Sequence, residues 1–246
     1  MLTHSNYLHT GLLITLFFLT GCKATAPVTQ IQDDKLPIQG IPAGYDSWDI
    51  NTLNTASNAT YISKIEREVV LELNLLRSNP QKYAELYLKP FRQYYHGKNL
   101  EIPGRITIIT NEGIKPLDEC ISQLSRTQPA PALIPSQGMC KAARDHAEDQ
   151  SKTGKTGHDG SDGSSLPDRL NRYGKWLTTI GENIDYGNGN AREIIIALLI
   201  DDGVSSRGHR KNLLNGAYHN IGVAVRSHPQ YEYVCVMDYA GGFESK

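Results

Sequence analysis

One short segment late in the chain constrains the fold more than any other. In NAREIIIALLIDDG, residues 190–203, Asn190 precedes the apolar run and Glu193 follows three positions later. This is the pattern that begins an α-helix. From Ile194 to Ile200 the side chains are apolar on nearly every side of that helix. Because water cannot stabilise such a surface, the sequence predicts a helix buried between two layers.

The surrounding segments supply those layers. Residues 63–78 have an apolar stripe at helical spacing after a Ser63/Glu66 capping box, and residues 115–126 and 137–152 also show helical spacing. The chain closes with two alternating segments, NIGVAVR and YEYVCVMDYAGG, joined by the turn SHPQ, which predicts an antiparallel hairpin. Helices that precede a hairpin, with one buried helix between, indicate a layered α+β fold.

The amino-terminal residues have a different character. GLLITLFFLTGC is too short for a comfortable membrane span, and it ends in small residues and Cys22, which favours a signal peptide over residues 1–21. LTGC resembles the lipobox of bacterial lipoproteins, which implies cleavage before Cys22 and a lipid on its sulfur. An ordinary secretory signal or an uncleaved anchor is the alternative. With Lys23 next, the resemblance implies the outer membrane in a Gram-negative cell.

Composition then defines the domain organisation. Residues 22–60 are rich in Pro, Thr, Asn and Ala and have no apolar period, so we expect a lipid-attachment site and flexible linker there and a folded domain over 61–246. A hydrophobic fraction of 39% suits one globular domain. The formal net charge of −1 argues against a nucleic-acid partner, which requires a basic face.

Export would place the remaining cysteines in an oxidising compartment. With Cys22 lipidated, Cys120, Cys140 and Cys235 remain, which leaves one pair and one free thiol. We predict Cys140–Cys235, because Cys140 lies on a helix expected to pack on the sheet and Cys235 lies in a terminal strand. Cys120–Cys140 is the alternative, since Cys120 also adjoins an apolar stripe. The sequence has no C-x-x-C motif for structural zinc.

Four places carry candidate chemistry. They are His158 in GHDGSDG, Glu182 in GENI, the acids Asp201 and Asp202 after the buried helix, and His209 in SRGHRK. Acids at a helix carboxyl terminus face the negative end of its dipole and need a compensating positive partner. We expect the two arginines that flank His209 to point away from it and to favour the neutral imidazole. His146, beside alanines on a helix, is interpreted as a packed histidine.

These motifs in this order resemble one family. AARDHA, GH, GENI, SRGHRKNLLN and IGVAV, over about residues 62–243, are similar to the CAP superfamily (cysteine-rich secretory protein, antigen five, pathogenesis-related-one), and most of all to its bacterial SCP-like branch. The resemblance implies a three-layer α–β–α sandwich with a mainly antiparallel sheet. It also implies a cleft with two histidines and two acids, here His158, His209, Glu182 and Asp202, with Asp201 as the alternative to Asp202.

Such a cleft suggests a metal site, but its residues do not identify a particular reaction. Two imidazoles with one or two carboxylates are zinc-type ligands, so a divalent cation, zinc first, is the expected cofactor. We predict an envelope-anchored domain whose cleft binds a metal, a small molecule, a lipid or a protein. One alternative is a hydrolase of extracellular esters or peptides that uses metal-bound water, Glu182 as base, or Ser205 or Ser206 with His209 and Glu182. The other alternative is a tetrad that only stabilises the fold.

Overall fold

The computed structural model describes residues 45–246, which form helices and two sheets. The helices are α1 (Ile50–Leu53), α2 (Lys64–Ser78), α3 (Pro80–Tyr83), α4 (Lys115–Leu124), α5 (Gln137–Thr153), α6 (Leu166–Tyr173), α7 (Ala191–Ile200) and α8 (Gly208–Leu214). A π-helical turn, Ala84–Leu88, and a 3-10 turn, Pro90–Tyr94, follow α3. The strands are β1 (Tyr95–His96), β2 (Asn99–Leu100), β3 (Ile108–Ile109), β4 (Ile134–Pro135), β5 (Gly174–Tyr186), β6 (Asn220–His228) and β7 (Glu232–Ser245).

The larger sheet is built around the closing hairpin. Its strand order is β4-β6-β7-β5, with β5, β7 and β6 antiparallel and the short β4 parallel to β6. The hairpin predicted from NIGVAVR and YEYVCVMDYAGG is therefore confirmed. A smaller antiparallel sheet, β1-β2-β3, lies between α3 and α4 in the chain. The alternating segment RITIIT, residues 105–110, contributes only Ile108 and Ile109 to it.

Helices cover both faces of the larger sheet, because its strands alternate in the side chains they present. One face packs with Ala143 and Ala147 of α5 and carries Ala224, Val234 and Val236. The other face joins the main core, with residues of α2 and α7, through Val223, Cys235, Met237 and Tyr239. The chain therefore has the α+β fold, with a mainly antiparallel sheet.

Helix α7 lies inside this core as predicted. The Asn190 side chain accepts hydrogen bonds from the backbone N–H of Arg192 at 2.9 Å and of Glu193 at 3.4 Å. Ile194, Ile195 and Leu199 are fully buried. Full burial of one such side chain contributes about 1.5–3 kcal/mol, so packing rather than helix propensity holds α7 in place.

The folded domain begins earlier than the sequence indicated. Residues 45–60, assigned to the linker, lie against the core: Ala56 and Ala59 are buried. The Thr55 hydroxyl donates to the Leu133 carbonyl at 2.7 Å. The Asn74 amide donates to the Leu53 carbonyl at 3.0 Å. The linker prediction was wrong there, because small and polar residues pack here through backbone hydrogen bonds that leave no apolar period in the sequence.

Cys120, Cys140 and Cys235 are free, buried thiols, so the predicted Cys140–Cys235 bridge is absent. Val234 and Val236 face α5, whereas Cys235 between them faces the main core, to which Cys140 also belongs, and no S–S bond joins the two thiols. Burial raises the pKa of Cys120 and Cys140 to about 12 and raises that of Cys235 as well.

The predicted signal peptide, the lipid-bearing Cys22 and linker residues 22–44 lie outside the described residues. Within residues 45–246, no helix has both the length and the apolar character needed to cross a bilayer.

Candidate functional site: two histidine–carboxylate pairs

The first pair joins His158 to Glu182. His158 lies in the loop between α5 and α6, and Glu182 lies within β5. The Nδ1 atom of His158 is 2.7 Å from Oε1 of Glu182. The side chain of His158 is 58% exposed, whereas that of Glu182 is 3% exposed. The carboxylate is therefore a buried support for an imidazole that faces solvent.

Arg169 of α6 holds the other side of this carboxylate. Its Nη2 donates to Oε2 of Glu182 at 2.7 Å, and its Nη1 donates to the carbonyls of His158 at 3.1 Å and Ser164 at 2.9 Å. Arg169 is almost completely buried, so it fixes both the carboxylate and the backbone of the histidine loop. Helix α6 begins at a capping box of Ser165 and Asp168, but nothing in the sequence marked Arg169 as part of the site.

Asp238 completes the surroundings of Glu182. The two residues are register partners on β5 and β7, and Asp238 is fully buried. Burial and the charge of Glu182 raise the pKa of Asp238 well above its usual range. Burial also acts to raise the pKa of Glu182, but the hydrogen bond from His158 and the charge of Arg169 outweigh it and lower that pKa. This environment thus favours the protonated form of Asp238 and the ionised form of Glu182.

Glu182 also changes the protonation of His158. The hydrogen bond to the carboxylate raises the pKa of His158 above its usual value.

The second pair joins His209, at the start of α8, to Asp201, which ends α7. The Nδ1 atom of His209 is 2.7 Å from Oδ1 of Asp201. Oδ2 of Asp201 accepts from the backbone N–H of His209 at 3.0 Å and of Arg210 at 3.4 Å. Asp201 itself has a left-handed backbone, with φ of 57°. Its charge is unfavourable for α7 but lies against the amino-terminal N–H groups of α8, which compensate it.

Asp202, the first choice for the fourth corner of the cleft, points elsewhere. Its carboxylate accepts from the backbone N–H of Asn111 at 2.6 Å and of Glu112 at 2.9 Å. The assignment of Asp202 is therefore corrected to Asp201, the alternative. The left-handed turn at Asp201 directs two adjacent acids to different partners, and sequence spacing does not reveal which acid turns towards His209.

The arginines beside His209 point away from it, as expected. Arg207 makes ion pairs with Glu112 at 2.6 Å and Glu119 at 2.9 Å. Arg210 is buried and donates to the carbonyls of Leu199 at 2.5 Å, of Pro116 at 2.9 Å and of Ile200 at 3.0 Å. Both arginines therefore fix the end of α7, which carries Asp201.

Two asparagines, Asn183 and Asn212, connect the pairs. The Asn183 amide donates to the His209 carbonyl at 3.0 Å. The Asn212 amide donates to Oδ1 of Asn183 at 2.9 Å and to the Glu182 carbonyl at 3.3 Å. Because Asn183 follows Glu182 in β5, these bonds attach the start of α8 to the strand that carries the first carboxylate. The structure therefore brings the two pairs to the same edge of the sheet.

The four predicted metal ligands do not form a closed cage. Among residues 45–246, no three His, Cys, Asp or Glu side chains are arranged to hold a metal ion. The carboxylates of Glu182 and Asp201 are occupied by their imidazoles and by N–H donors. In the described part of the chain, the Nε2 atoms of His158 and His209 have no hydrogen-bond partner. These two atoms are the ligands that the site offers.

The proposed serine triad is not formed. Ser205 and Ser206 are exposed, and neither donates to His209. Asp201, not Glu182, orients His209. His146 is packed as interpreted: it is 1% exposed and its Nε2 is 2.9 Å from the Gly157 carbonyl. Burial lowers the pKa of His146.

Comparison with known proteins gives the family. A family model described as "CAP: Cysteine-rich secretory protein family" matches residues 73–239, a range that contains both pairs. A search of the curated proteins found no match.

Two solved structures are similar over part of the chain. An extracellular SCP-domain protein from Bacillus anthracis is 27% identical, with a TM-score of 0.38 over 45% of this chain and 34% of that one. The match thus spans about a third of the Bacillus protein. An outer surface protein from Borrelia burgdorferi is 17% identical, with a TM-score of 0.39 over 48% of this chain and 80% of that one. Because the family model covers more than half of the sequence, the chain belongs to the CAP family of cysteine-rich secretory proteins.

Proposed function

We propose that this CAP domain is an exported binding module whose two imidazoles, the exposed His158 and the partly exposed His209, bind a divalent cation, zinc first. The observation that carries the proposal is the matched geometry of His158 and His209. Each turns Nδ1 to a buried carboxylate at 2.7 Å, and among the described residues neither Nε2 has a hydrogen-bond partner. Metal-binding histidines typically have this support, because the carboxylate fixes the ring and raises the basicity of the other nitrogen.

The residues fit a metal only partly, and this limits its coordination. Zinc accepts imidazole nitrogen readily and is usually four-coordinate. His158 and His209 would supply two ligands, while Glu182 and Asp201 orient the rings from behind. The remaining positions would be left to water or to a ligand of the bound partner. Such an open site is suited to binding a small molecule or a protein through the metal.

A hydrolase is the weaker alternative. A general base works best with a pKa near the operating pH. Glu182 is instead held by Arg169 at 2.7 Å, and its pKa is lowered, so it is a poor base. A purely structural role is also weaker, because 58% exposure of the His158 side chain serves no packing.

The location of the domain is part of the proposal. The apolar amino-terminal run, LTGC and the Pro- and Thr-rich stretch after it support export and attachment to the cell envelope through a lipid on Cys22.

Calorimetric titration of zinc into the chelator-treated protein tests the site. The wild-type protein should release or absorb heat with one zinc per chain, and His158→Ala with His209→Ala should abolish it. The control removes two exposed histidines elsewhere, His96→Ala with His219→Ala, and should bind like the wild type.

The zinc affinity should also depend on pH, because protons compete with the metal for imidazole nitrogen. Since the pKa of His158 is raised, zinc affinity should fall as the pH drops through a value above about 6.5. Equal binding by the double variant, or no binding by the wild type, would exclude the metal site and favour the structural role.

A further inference from the structure

A second site lies on the other flank of α7. A cavity of about 620 Å³ separates α7 from the segment that contains β1, β2 and β3. Its buried floor is branched and aromatic, made by Phe91, Leu100, Ile102, Ile196 and Ile200. This volume lies within the roughly 300–1,000 Å³ typical of small-molecule pockets. Neither histidine–carboxylate pair lines the cavity, so it is a separate site.

The cavity is open to solvent along an apolar rim. Ile106 and Ile108 line it and are 90% and 56% exposed. Glu193 and Ile200, which line the cavity near the two ends of α7, are separated by about 10 Å at 1.5 Å per helical residue. A ligand with an apolar body of about that length can enter past the isoleucines and cover the floor.

The charges around the cavity are mainly negative. Among residues 45–246, its lining includes the acids Glu193, Asp202 and Glu232 but only one cation, Arg105. Arg105 is paired with Glu193 at 2.5 Å, and Asp202 accepts from the Asn111 and Glu112 backbone. Because of these contacts, Arg105 is not available to an anionic ligand, and Asp202 is not available to a cationic one.

Glu232 is the exception among these charges. It is exposed at the start of β7, with a left-handed backbone of φ 70°. Among residues 45–246, its side chain has no hydrogen bond or ion pair. An available carboxylate at the mouth of an apolar cavity attracts a positive charge carried by an apolar body.

We propose that this cavity binds an amphiphilic cation, a molecule with one apolar body and one amine or quaternary ammonium group. The body packs on the floor between α7 and the small sheet, and the cation lies beside Glu232. An anionic amphiphile of the same body is disfavoured by the lining charge, and a neutral one lacks the contact with Glu232. The inference is independent of the proposed metal site.

Three probes with the same ten-carbon chain test the charge preference: decyltrimethylammonium, decanol and decanoate. Each is titrated below its micelle concentration into the full chain. The expected affinity order is cation, then neutral probe, then anion. Equal affinities, or tightest binding of decanoate, would overturn the proposal.

Variants locate the binding. Glu232→Gln should weaken decyltrimethylammonium roughly two- to fivefold and leave decanol unchanged, as for loss of one exposed charge contact. Glu244→Gln, an exposed acid at the far end of β7, is the matched control and should change neither probe. Ala197→Phe should fill the cavity and reduce binding of every probe.

The remaining outcomes are also informative. If Glu232→Gln and Glu244→Gln weaken the cationic probe equally, the preference reflects overall charge and the assignment of Glu232 is wrong. His158→Ala with His209→Ala should leave probe binding unchanged, which separates this site from the metal site. If Ala197→Phe prevents folding, the two Gln variants still test the proposal.

Discussion

At the scale of single residues, Asp201 and Asp202 show how neighbouring acids acquire different roles. Asp201 holds the His209 ring and the first N–H groups of α8, while Asp202 holds the backbone of the 111–112 turn. Both carboxylates end the same helix, and one left-handed residue separates their directions. Asp201→Asn and Asp202→Asn are therefore matched variants, because each removes one negative charge from the same end of α7.

We expect Asp201→Asn to weaken zinc binding about 10- to 100-fold, as for loss of a carboxylate behind a metal-binding histidine. Asp202→Asn should leave zinc affinity unchanged and affect only the 111–112 turn. Asparagine tolerates the left-handed backbone of residue 201, so the fold should persist. Calorimetry on both variants measures the difference, and equal losses would mean that Asp201 does not support the site.

The sequence located three of the four paired residues and missed those that hold them. His158, Glu182 and His209 lie in recognisable motifs, whereas Arg169 reaches Glu182 from another helix, a contact that spacing cannot reveal. Asp238 left a signal: in YEYVCVMDYA it shares the apolar face of Val234 and Val236. A lone acid on that face of a strand indicates a buried carboxyl.

At the scale of elements, strand β5 carries a second unusual acid on its other face. Asp185 is buried and accepts from the Asn188 amide at 2.9 and 3.1 Å. Burial raises the pKa of Asp185 to about 7, although the Asn188 hydrogen bonds act to lower it. In the unfolded chain this group loses its proton near pH 4. Between about pH 4 and 7 the folded state therefore holds more protons, and stability falls as pH rises.

Asp185→Asn should remove this dependence. Relative to the wild type, the variant should gain roughly 1–3 kcal/mol of unfolding free energy between pH 5 and pH 8. Urea unfolding at both pH values measures the gain. Asp46→Asn, which changes an exposed acid, is the control and should follow the wild type. An Asp185 variant with the wild-type pH dependence would show that this carboxyl is ionised in the folded protein at pH 5.

Local patterns predicted α2, α4, α5, α7 and the β6–β7 hairpin because each has its own apolar period and boundary residues. The small sheet was less predictable, since its strands contain two residues each and depend on neighbouring contacts. The linker prediction for residues 45–60 was wrong for a related reason. Their order comes from contacts with residues far along the chain, such as Thr55 with Leu133.

At the scale of the whole molecule, those residues determine where the domain can be cut. Trp48 donates to the Tyr87 hydroxyl at 3.0 Å and lies under the Lys82 ammonium. A chain that begins at residue 61 should lose on the order of 3 kcal/mol or more relative to one that begins at residue 45, from lost apolar burial. Thermal unfolding of the two fragments measures this. Equal unfolding midpoints for the two fragments would show that residues 45–60 belong to the linker.

The proposed lipid anchor is tested on the complete chain in cells. Cys22→Ser should abolish labelling by a fatty-acid probe and release the protein from the membrane fraction. Cys120→Ser changes a buried thiol within the domain and should keep the label. Undiminished labelling of the Cys22 variant would contradict the lipoprotein assignment and favour an ordinary secretory signal.

The three core thiols have a practical consequence. Cys120 lies in α4, Cys140 in α5 and Cys235 in the central strand β7. All three thiols are buried, and their pKa values are raised. Because only thiolate reacts readily, an alkylating reagent can modify them only after the core opens. The rate at which each cysteine is alkylated under native conditions therefore reports opening of its own part of the domain. Without any introduced label, the chain contains three internal reporters of how its layers separate.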